Sequence, residues 1–193
     1  MTRPTSRSQA PIEDDHLERL SVIAAADREK FCLNHPEYRD LYLATVLAQG
    51  AALHFLDGRN GVKDLDVWSF FALPQGVTRF PADKRNVHVD FGASTLGRQP
   101  YQLDDAPNTT VRARWAKWAT FEGRRVDLLM RGLQCSRRSD PVDVIRGWLI
   151  TGQAKPGSSP DRLAKKAMIM IDPADRRGQV VWPPDYVWSA VVT

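Results

Sequence analysis

Apolar residues in the first part of the chain return every three or four positions. The residues at this helical spacing are Leu17, Leu20, Ala24 and Phe31. It predicts a helix over residues 15–33, with Asp15 and Glu18 forming a capping box in its first turn. Residues 1–11 are polar and include two prolines, so we predict a disordered tail before the helix.

Short apolar segments separated by glycine turns follow, and the spacing of their apolar residues becomes that of strands. The segments are residues 41–48, 64–71, 86–91 and 124–130. We predict a strand for each, with a short helix opening at Gly50 between the first two. We also predict that 124–130 forms a hairpin with a strand over 109–121.

The last third of the chain returns to helical spacing. A helix is predicted from Asp140 onwards, and a flexible linker over residues 153–158 follows it. Ser159, with a proline after it, suits the start of a second helix. The apolar side of that second helix is formed by Leu163, Ala164, Ala167, Met168 and Ile171. Residues 180–188 are predicted to lie extended on the domain.

Together these elements predict an α+β fold, a mixed sheet flanked by helices with a small helical C-terminal portion. We divide the 193 residues into a core over 12–138 and a C-terminal helical segment with an extended tail over 139–193. No apolar run reaches the roughly 18 residues of a membrane helix. The N-terminus lacks the apolar core of a signal peptide. We therefore expect a cytoplasmic protein with no membrane partner.

The charge of the chain is unevenly distributed. The net charge is +4, yet residues 111–138 contain eight Lys or Arg against only two acids, Glu122 and Asp127. A basic band of this kind suits a polyphosphate or a nucleic acid as partner. The alternative is a solvated face whose long side chains shield a sheet. Cys32 and Cys135 lack the paired spacing of a zinc site.

Three carboxylates on predicted strands are the strongest candidates for chemistry. Alternation in a strand places Asp64 and Asp66 on one side and the apolar residues between and after them on the other. Neighbouring carboxylates repel each other, and Mg²⁺ relieves that repulsion because it prefers carboxylate and phosphate oxygens. Asp127 is the third candidate, with Asp90 as its rival. An ordinary salt bridge to Arg125 or Arg131 is the alternative role for Asp127.

The spacing of these acids resembles that of the nucleotidyltransferase superfamily, whose founding fold is the palm of DNA polymerase β. In that pattern a strand leads into Gly-Gly or Gly-Ser, which opens a helix; Asp-x-Asp follows on the next strand, and a later strand supplies a third acid. Here the first element is Gly50-Ala51, and the others are Asp64-x-Asp66 and Asp127. The resemblance covers residues 40–131. The departure is Ala51, which has no hydroxyl to contact a phosphate.

The resemblance implies a nucleotidyltransferase-like sheet and a two-metal transfer of a nucleotidyl group from a nucleoside triphosphate. Asp64, Asp66 and Asp127 would be the catalytic residues and the ligands of Mg²⁺ or Mn²⁺. The residues expected to contact the triphosphate are Gly50, Ala51, Arg59, Lys63 and Lys165. The two glycine-turn residues would do so through backbone N–H groups at a helix start. His54 is interpreted as a packed helix residue and not as a catalytic base.

The sequence leaves the acceptor hydroxyl open among RNA, protein and small molecules, and it leaves the oligomeric state open as well. A degenerate family member that binds nucleotide, RNA or a protein partner without turnover is the main alternative, because of Ala51. A metal-dependent nuclease and a purely structural protein are the others. We predict nucleotidyl transfer to a hydroxyl group.

Overall fold

A six-stranded mixed sheet forms the middle layer of the computed structural model. The structure describes residues 8–73, 76–77, 79–81, 84–89, 109, 124–151 and 167–185. The strands are β1 (Tyr42–Ala48), β2 (Leu65–Leu73), β3 (Lys84–Val89), β4 (Arg124–Gln134), β5 (Ala167–Asp172) and β6 (Val180–Trp182). The described helices are α1 (Asp14–Asn34), α2 (Gln49–Asp57) and α3 (Pro141–Ile150), with 3₁₀ turns at Pro36–Leu41 and Ala174–Arg176. Asp90, Lys165 and the predicted linker over 153–158 lie outside the described residues.

The strands lie in the order β3-β4-β2-β1-β5-β6. β2 and β4 are parallel and pair in register from Leu65 with Val126 to Leu73 with Gln134. The other neighbouring strands are antiparallel. The α+β class with a mixed sheet flanked by helices is therefore confirmed.

One face of the sheet is covered by α1 and α2. Leu17, Leu20 and Ala52 pack against Leu65 and Val67 of β2, and all five are almost completely buried. Each fully buried leucine or valine stabilises the fold by about 1.5–3 kcal/mol. We call this side the α1 face. The helix predicted over residues 15–33 is confirmed as α1, and its predicted bounds differ from the observed ones by one residue at each end.

The opposite side, which we call the α3 face, is covered in part by α3. Ile145 and Leu149 of that helix are buried in one cluster with Trp68 and Phe70 of β2. The helix begins as predicted, because the carboxylate of Asp140 accepts hydrogen bonds from the N–H groups of Val142 and Asp143, at 2.9 and 3.3 Å. The same carboxylate also forms a salt bridge of 2.6 Å with Arg176.

The second C-terminal helix is a wrong prediction over residues 167–171. That segment is β5, which pairs antiparallel with β1 on one edge and β6 on the other. Residues 167–171 are all buried, and a strand buried on both faces has apolar residues at every position. Such a run also contains apolar residues at helical spacing, which explains the wrong prediction. The segment after residue 139 thus adds two strands, β5 and β6, to the sheet of the core. β6 is the first part of the extended segment predicted over residues 180–188.

The predicted hairpin of 124–130 with 109–121 is also wrong. From Val126 to Leu129 both edges of β4 are occupied, by β2 on one side and β3 on the other. The strand predicted over 86–91 corresponds to β3, which extends from Lys84 to Val89, and residues 90 and 91 lie outside the described part. β3 occupies the edge of β4 at which the predicted hairpin partner would have paired. Of residues 109–121, only 109 belongs to the described part.

Two predictions at the N-terminus need correction. Residues 8–11 are ordered, because Ser8 and Val62 exchange two backbone hydrogen bonds of 2.9 and 2.7 Å and Ile12 is buried in the core. The first helical turn is capped at Glu13, whose N–H donates to Nδ1 of His16 at 2.9 Å, and not at Asp15. Within the described residues, no helix is both long and apolar enough to cross a bilayer.

Candidate functional site

A small pocket lies where the β1–α2 turn meets the start of β2. It has a volume of about 270 Å³ and a mainly polar lining. The lining residues are Gln49, Gly50, Ala51, Gly61, Lys63, Asp64 and Asp66. Both members of the Asp-x-Asp pair and both members of the glycine turn therefore face the same space.

The turn after β1 leaves the start of α2 open. Gln49 has a left-handed φ of 60°, which is uncommon for a residue with a side chain and is often found at functional sites. Among the described residues no side chain caps α2, so the N–H groups of Gly50 and Ala51 in its first turn are suited to bind an anion in the pocket. A Cβ added to Gly50 would meet no atom within 4 Å. Glycine there keeps the backbone accessible and is not required by the packing.

The Asp-x-Asp pair alternates as the sequence predicts. Asp64 immediately precedes β2 and Asp66 is its second residue, and both line the pocket while remaining partly exposed. Leu65 and Val67, in contrast, are buried on the α1 face. Two partly solvated carboxylates in one polar pocket form a donor set that suits a hard divalent cation.

Asp127 lies directly beside Asp66. The parallel register pairs these two residues across β2 and β4, and paired residues of neighbouring strands point to the same face of a sheet. Asp127 is 4% exposed, and both of its carboxylate oxygens accept hydrogen bonds from Arg125: Nε donates at 2.6 Å and Nη2 at 2.9 Å. The third acid is therefore next to the pair, but its charge is balanced by Arg125.

The predicted cations are distributed differently. Lys63 lines the pocket and is exposed, while its backbone carbonyl accepts a hydrogen bond of 3.3 Å from Nη1 of the buried Arg124. Arg59 is exposed in the loop after α2, where its N–H donates to Asp57, and it is not among the lining residues. Of the two, only Lys63 is placed to meet an anion in the pocket.

His54 is a packed helix residue, as predicted, and it forms a hydrogen bond to the loop that contributes Gly61 to the pocket. It is 2% exposed, and its Nδ1 accepts a hydrogen bond of 3.1 Å from the N–H of Gly61. An accepting Nδ1 requires the proton on Nε2, which therefore donates to the carbonyl of Ala10 at 3.0 Å. His54 thus ties α2 to the loop that carries Gly61 and to the N-terminal segment.

A second group of potential ligands was not predicted from the sequence. Glu13, Asp15 and His16 have ligand atoms that all lie within 4.8 Å of one another at the start of α1. The two acids are exposed, whereas the histidine is only 3% exposed. Because Nδ1 of His16 already accepts from the N–H of Glu13, the cluster acts as a helix cap. Its acid–x–acid–His spacing in one helical turn is the signal that could have identified it.

Comparisons with known proteins gave no relatives. No protein-family model, no curated protein and no solved structure matches this chain.

Proposed function

We propose that this chain is a nucleotidyltransferase that transfers a nucleoside monophosphate from a nucleoside triphosphate to a hydroxyl group. The observation that carries the proposal is the parallel register that puts Asp66 beside Asp127, next to Asp64 and the open start of α2. The order of a strand, a glycine-opened helix and an acidic strand supports a nucleotidyltransferase-like version of the mixed sheet.

The pocket would hold Mg²⁺ or Mn²⁺ on Asp64 and Asp66. Their partial exposure and the polar lining suit an oxygen-ligated cation. When bound, such ions neutralise charge on the triphosphate and stabilise the leaving pyrophosphate. Asp127 would join them only after exchanging its hydrogen bonds to Arg125 for a new partner.

The protein's own groups would then position the substrates. Backbone N–H groups of Gly50 and Ala51 at the start of α2 would bind phosphate oxygens, and Lys63 would add a positive charge from the loop. The acceptor oxygen attacks the α-phosphorus and the bond to the pyrophosphate oxygen breaks. The hydroxyl proton passes to a nearby base, for which Asp127 is the candidate once Arg125 has released it.

The proposal is tested by incubating the protein with each α-labelled NTP, Mn²⁺ and a panel of RNA, protein and small-molecule acceptors. Wild type is expected to transfer label to one acceptor class. Asp66→Asn is expected to lose transfer while keeping its melting temperature, and Asp175→Asn, an exposed acid far along the chain, serves as the matched control. Full activity of Asp66→Asn would overturn the assignment.

A degenerate member that binds nucleotide without turnover is the second candidate. Two observations favour it: Ala51 has no hydroxyl for a phosphate, and Asp127 is already neutralised by Arg125. Calorimetry with ATP and Mn²⁺ separates the two functions. Binding that depends on Asp64 and Asp66 but yields no labelled product with any acceptor would identify the degenerate form.

A further inference from the structure

The two arginines that share a face with Asp127 on β4 have different environments. Arg125 pairs with Asp127, whereas Arg131 lies over two indole rings of the α3 face. Its Cζ is 4.6 Å from the ring centre of Trp68 and 5.6 Å from that of Trp148. The two rings meet edge to face, with centres 6.0 Å apart. β2, β4 and α3 therefore each contribute one side chain to what we call the Arg131 cluster.

The charge of Arg131 has no counter-ion in the described part of the chain. Arg85, Arg125 and Arg176 each form a salt bridge to a carboxylate, and Arg131 forms none there. Arg131 is exposed as a residue, but the rings beneath its guanidinium desolvate it in part, which lowers its pKa from the ordinary value. Cation–π contact contributes about 0.5–2 kcal/mol and leaves all five N–H donors able to bind an anion.

Trp68 gives an independent sign that an acceptor is missing. The residue is 6% exposed, and its Nε1 is a buried donor with no hydrogen-bond partner among the described residues. An unpaired buried N–H costs about 1–3 kcal/mol, so proteins seldom keep one without a reason. The same ring supports the guanidinium of Arg131. One cluster thus contains an exposed cation without a counter-ion and a buried donor without a partner among the described residues, and the guanidinium of Arg131 is the group that an anion from solvent can reach.

The cluster lies on the same face as the acids, a short distance along the strands. Trp68 follows Asp66 by two residues on β2, and Arg131 follows Asp127 by four on β4. At about 3.3 Å per residue these steps correspond to about 7 and 13 Å. A substrate that reaches from the acids to Arg131 is therefore extended and carries negative charge away from its reacting end.

We infer that Arg131, supported by Trp68 and Trp148, binds a backbone phosphate of a single-stranded nucleic acid that is the acceptor. The inference rests on the proposed function for the reaction and adds the class of acceptor to it. A planar guanidinium matches phosphate oxygens in pairs, and the indole rings beneath it hold it in place. The excess of basic residues over residues 111–138 favours a polyanion over an acidic protein segment.

The test is fluorescence anisotropy with a labelled single-stranded RNA of about 12 nucleotides, without NTP or metal. Wild type is expected to bind, and Arg131→Gln is expected to raise the Kd about tenfold or more and to lower the slope of log K against log salt by about one. Lys30→Gln removes one positive charge from an exposed residue of α1, on the opposite side of the sheet, and is the matched control. Arg131→Lys should bind with intermediate affinity, because it keeps the charge and loses the planar fork.

Three results would overturn the inference: wild type that binds no RNA at low salt, equal effects of Arg131→Gln and Lys30→Gln, or equally tight Arg131-dependent binding of a polyglutamate peptide. If Arg131→Gln unfolds, the comparison of wild type with Arg131→Lys decides in its place. Nucleotide binding is measured separately by thermal shift with Mn²⁺. Arg131-dependent RNA binding without any nucleotide effect would reject the proposed function and keep the nucleic-acid site.

Discussion

Two polar clusters, one on each face of the sheet, differ in how fully their groups are hydrogen-bonded. On the α1 face they are joined to one another: the hydroxyl of Tyr42 donates to Asp172, and Thr45 bonds both Tyr42 and Ser69 at 2.9 Å. On the α3 face Asp127 is paired with Arg125, but in the Arg131 cluster the donor of Trp68 and the charge of Arg131 have no partner among the described residues. The first arrangement stabilises the fold, whereas the second lowers stability and suits a ligand.

The largest expected loss of stability comes from His54, on the side of the sheet where polar groups are joined. His54→Ala removes both ring hydrogen bonds and leaves a cavity, and we expect the free energy of unfolding to fall by about 3 kcal/mol. Denaturant unfolding measures it, with His35→Ala, a half-buried residue, as control. A loss below about 1 kcal/mol would show that Gly61 and Ala10 find other partners.

The faces are compared most sharply by removing one arginine from each. Arg85→Met breaks the 3.2 Å salt bridge to Asp27, whose side chain is 10% exposed, and is expected to cost about 1–2 kcal/mol. Arg131→Met loses the cation–π contact, worth about 0.5–1 kcal/mol at an exposed site, but its apolar side chain offsets part of this by packing on the indoles. The net change in stability should therefore be about 0.5 kcal/mol or less. Urea unfolding of both variants is the measurement. Equal losses of stability from Arg85→Met and Arg131→Met would contradict the expectation that the paired arginine stabilises the fold more than the unpaired one.

These contrasts bear on what the sequence can predict. The positions of Asp64 and Asp66 followed from two-residue alternation, a local rule that the structure obeys. The register that sets Asp66 beside Asp127 is a contact between distant segments. Periodicity indicated only that each acid is on a strand, and the family resemblance alone implied that they share a site. β5 was missed because a strand buried on both faces has apolar residues at every position, and such a run has no period that separates it from a helix.

A smaller and pH-dependent effect is expected at Tyr42. Tyr42→Phe should cost about 1 kcal/mol near neutral pH, since it leaves Asp172 and Thr45 without the hydroxyl. Burial, opposed in part by the charge of Arg28, raises the pKa of Tyr42 above its ordinary value. The stabilisation from the neutral hydroxyl is therefore complete below pH about 10 and is lost as pH rises further.

Unfolding curves at neutral pH and at alkaline pH, recorded for wild type and Tyr42→Phe, measure this effect. The difference between the two proteins should narrow as pH rises above about 10. A difference that widens with pH would mean that the folded protein favours the tyrosinate, and the assigned role of burial would be wrong.

The smallest effect on stability is expected at Gly50. Gly50→Ala puts a methyl group into open space at the start of a helix, so we expect it to stabilise the protein by up to about 1 kcal/mol. The same methyl group would hinder a phosphate that approaches the backbone, and nucleotide affinity should fall. Gly147→Ala, also in open space but on α3, should stabilise without any effect on nucleotide binding.

The central claim, a metal–nucleotide site on Asp64 and Asp66, is tested most directly by thermal unfolding of wild type and the Asp64→Ala/Asp66→Ala double variant with Mn²⁺ and each NTP. We predict that Mn²⁺ plus one NTP raises the melting temperature of wild type by about 5–10 °C at saturating ligand, and that the double variant does not respond. The same shift in both proteins, or no shift in either with any NTP, would contradict the claim.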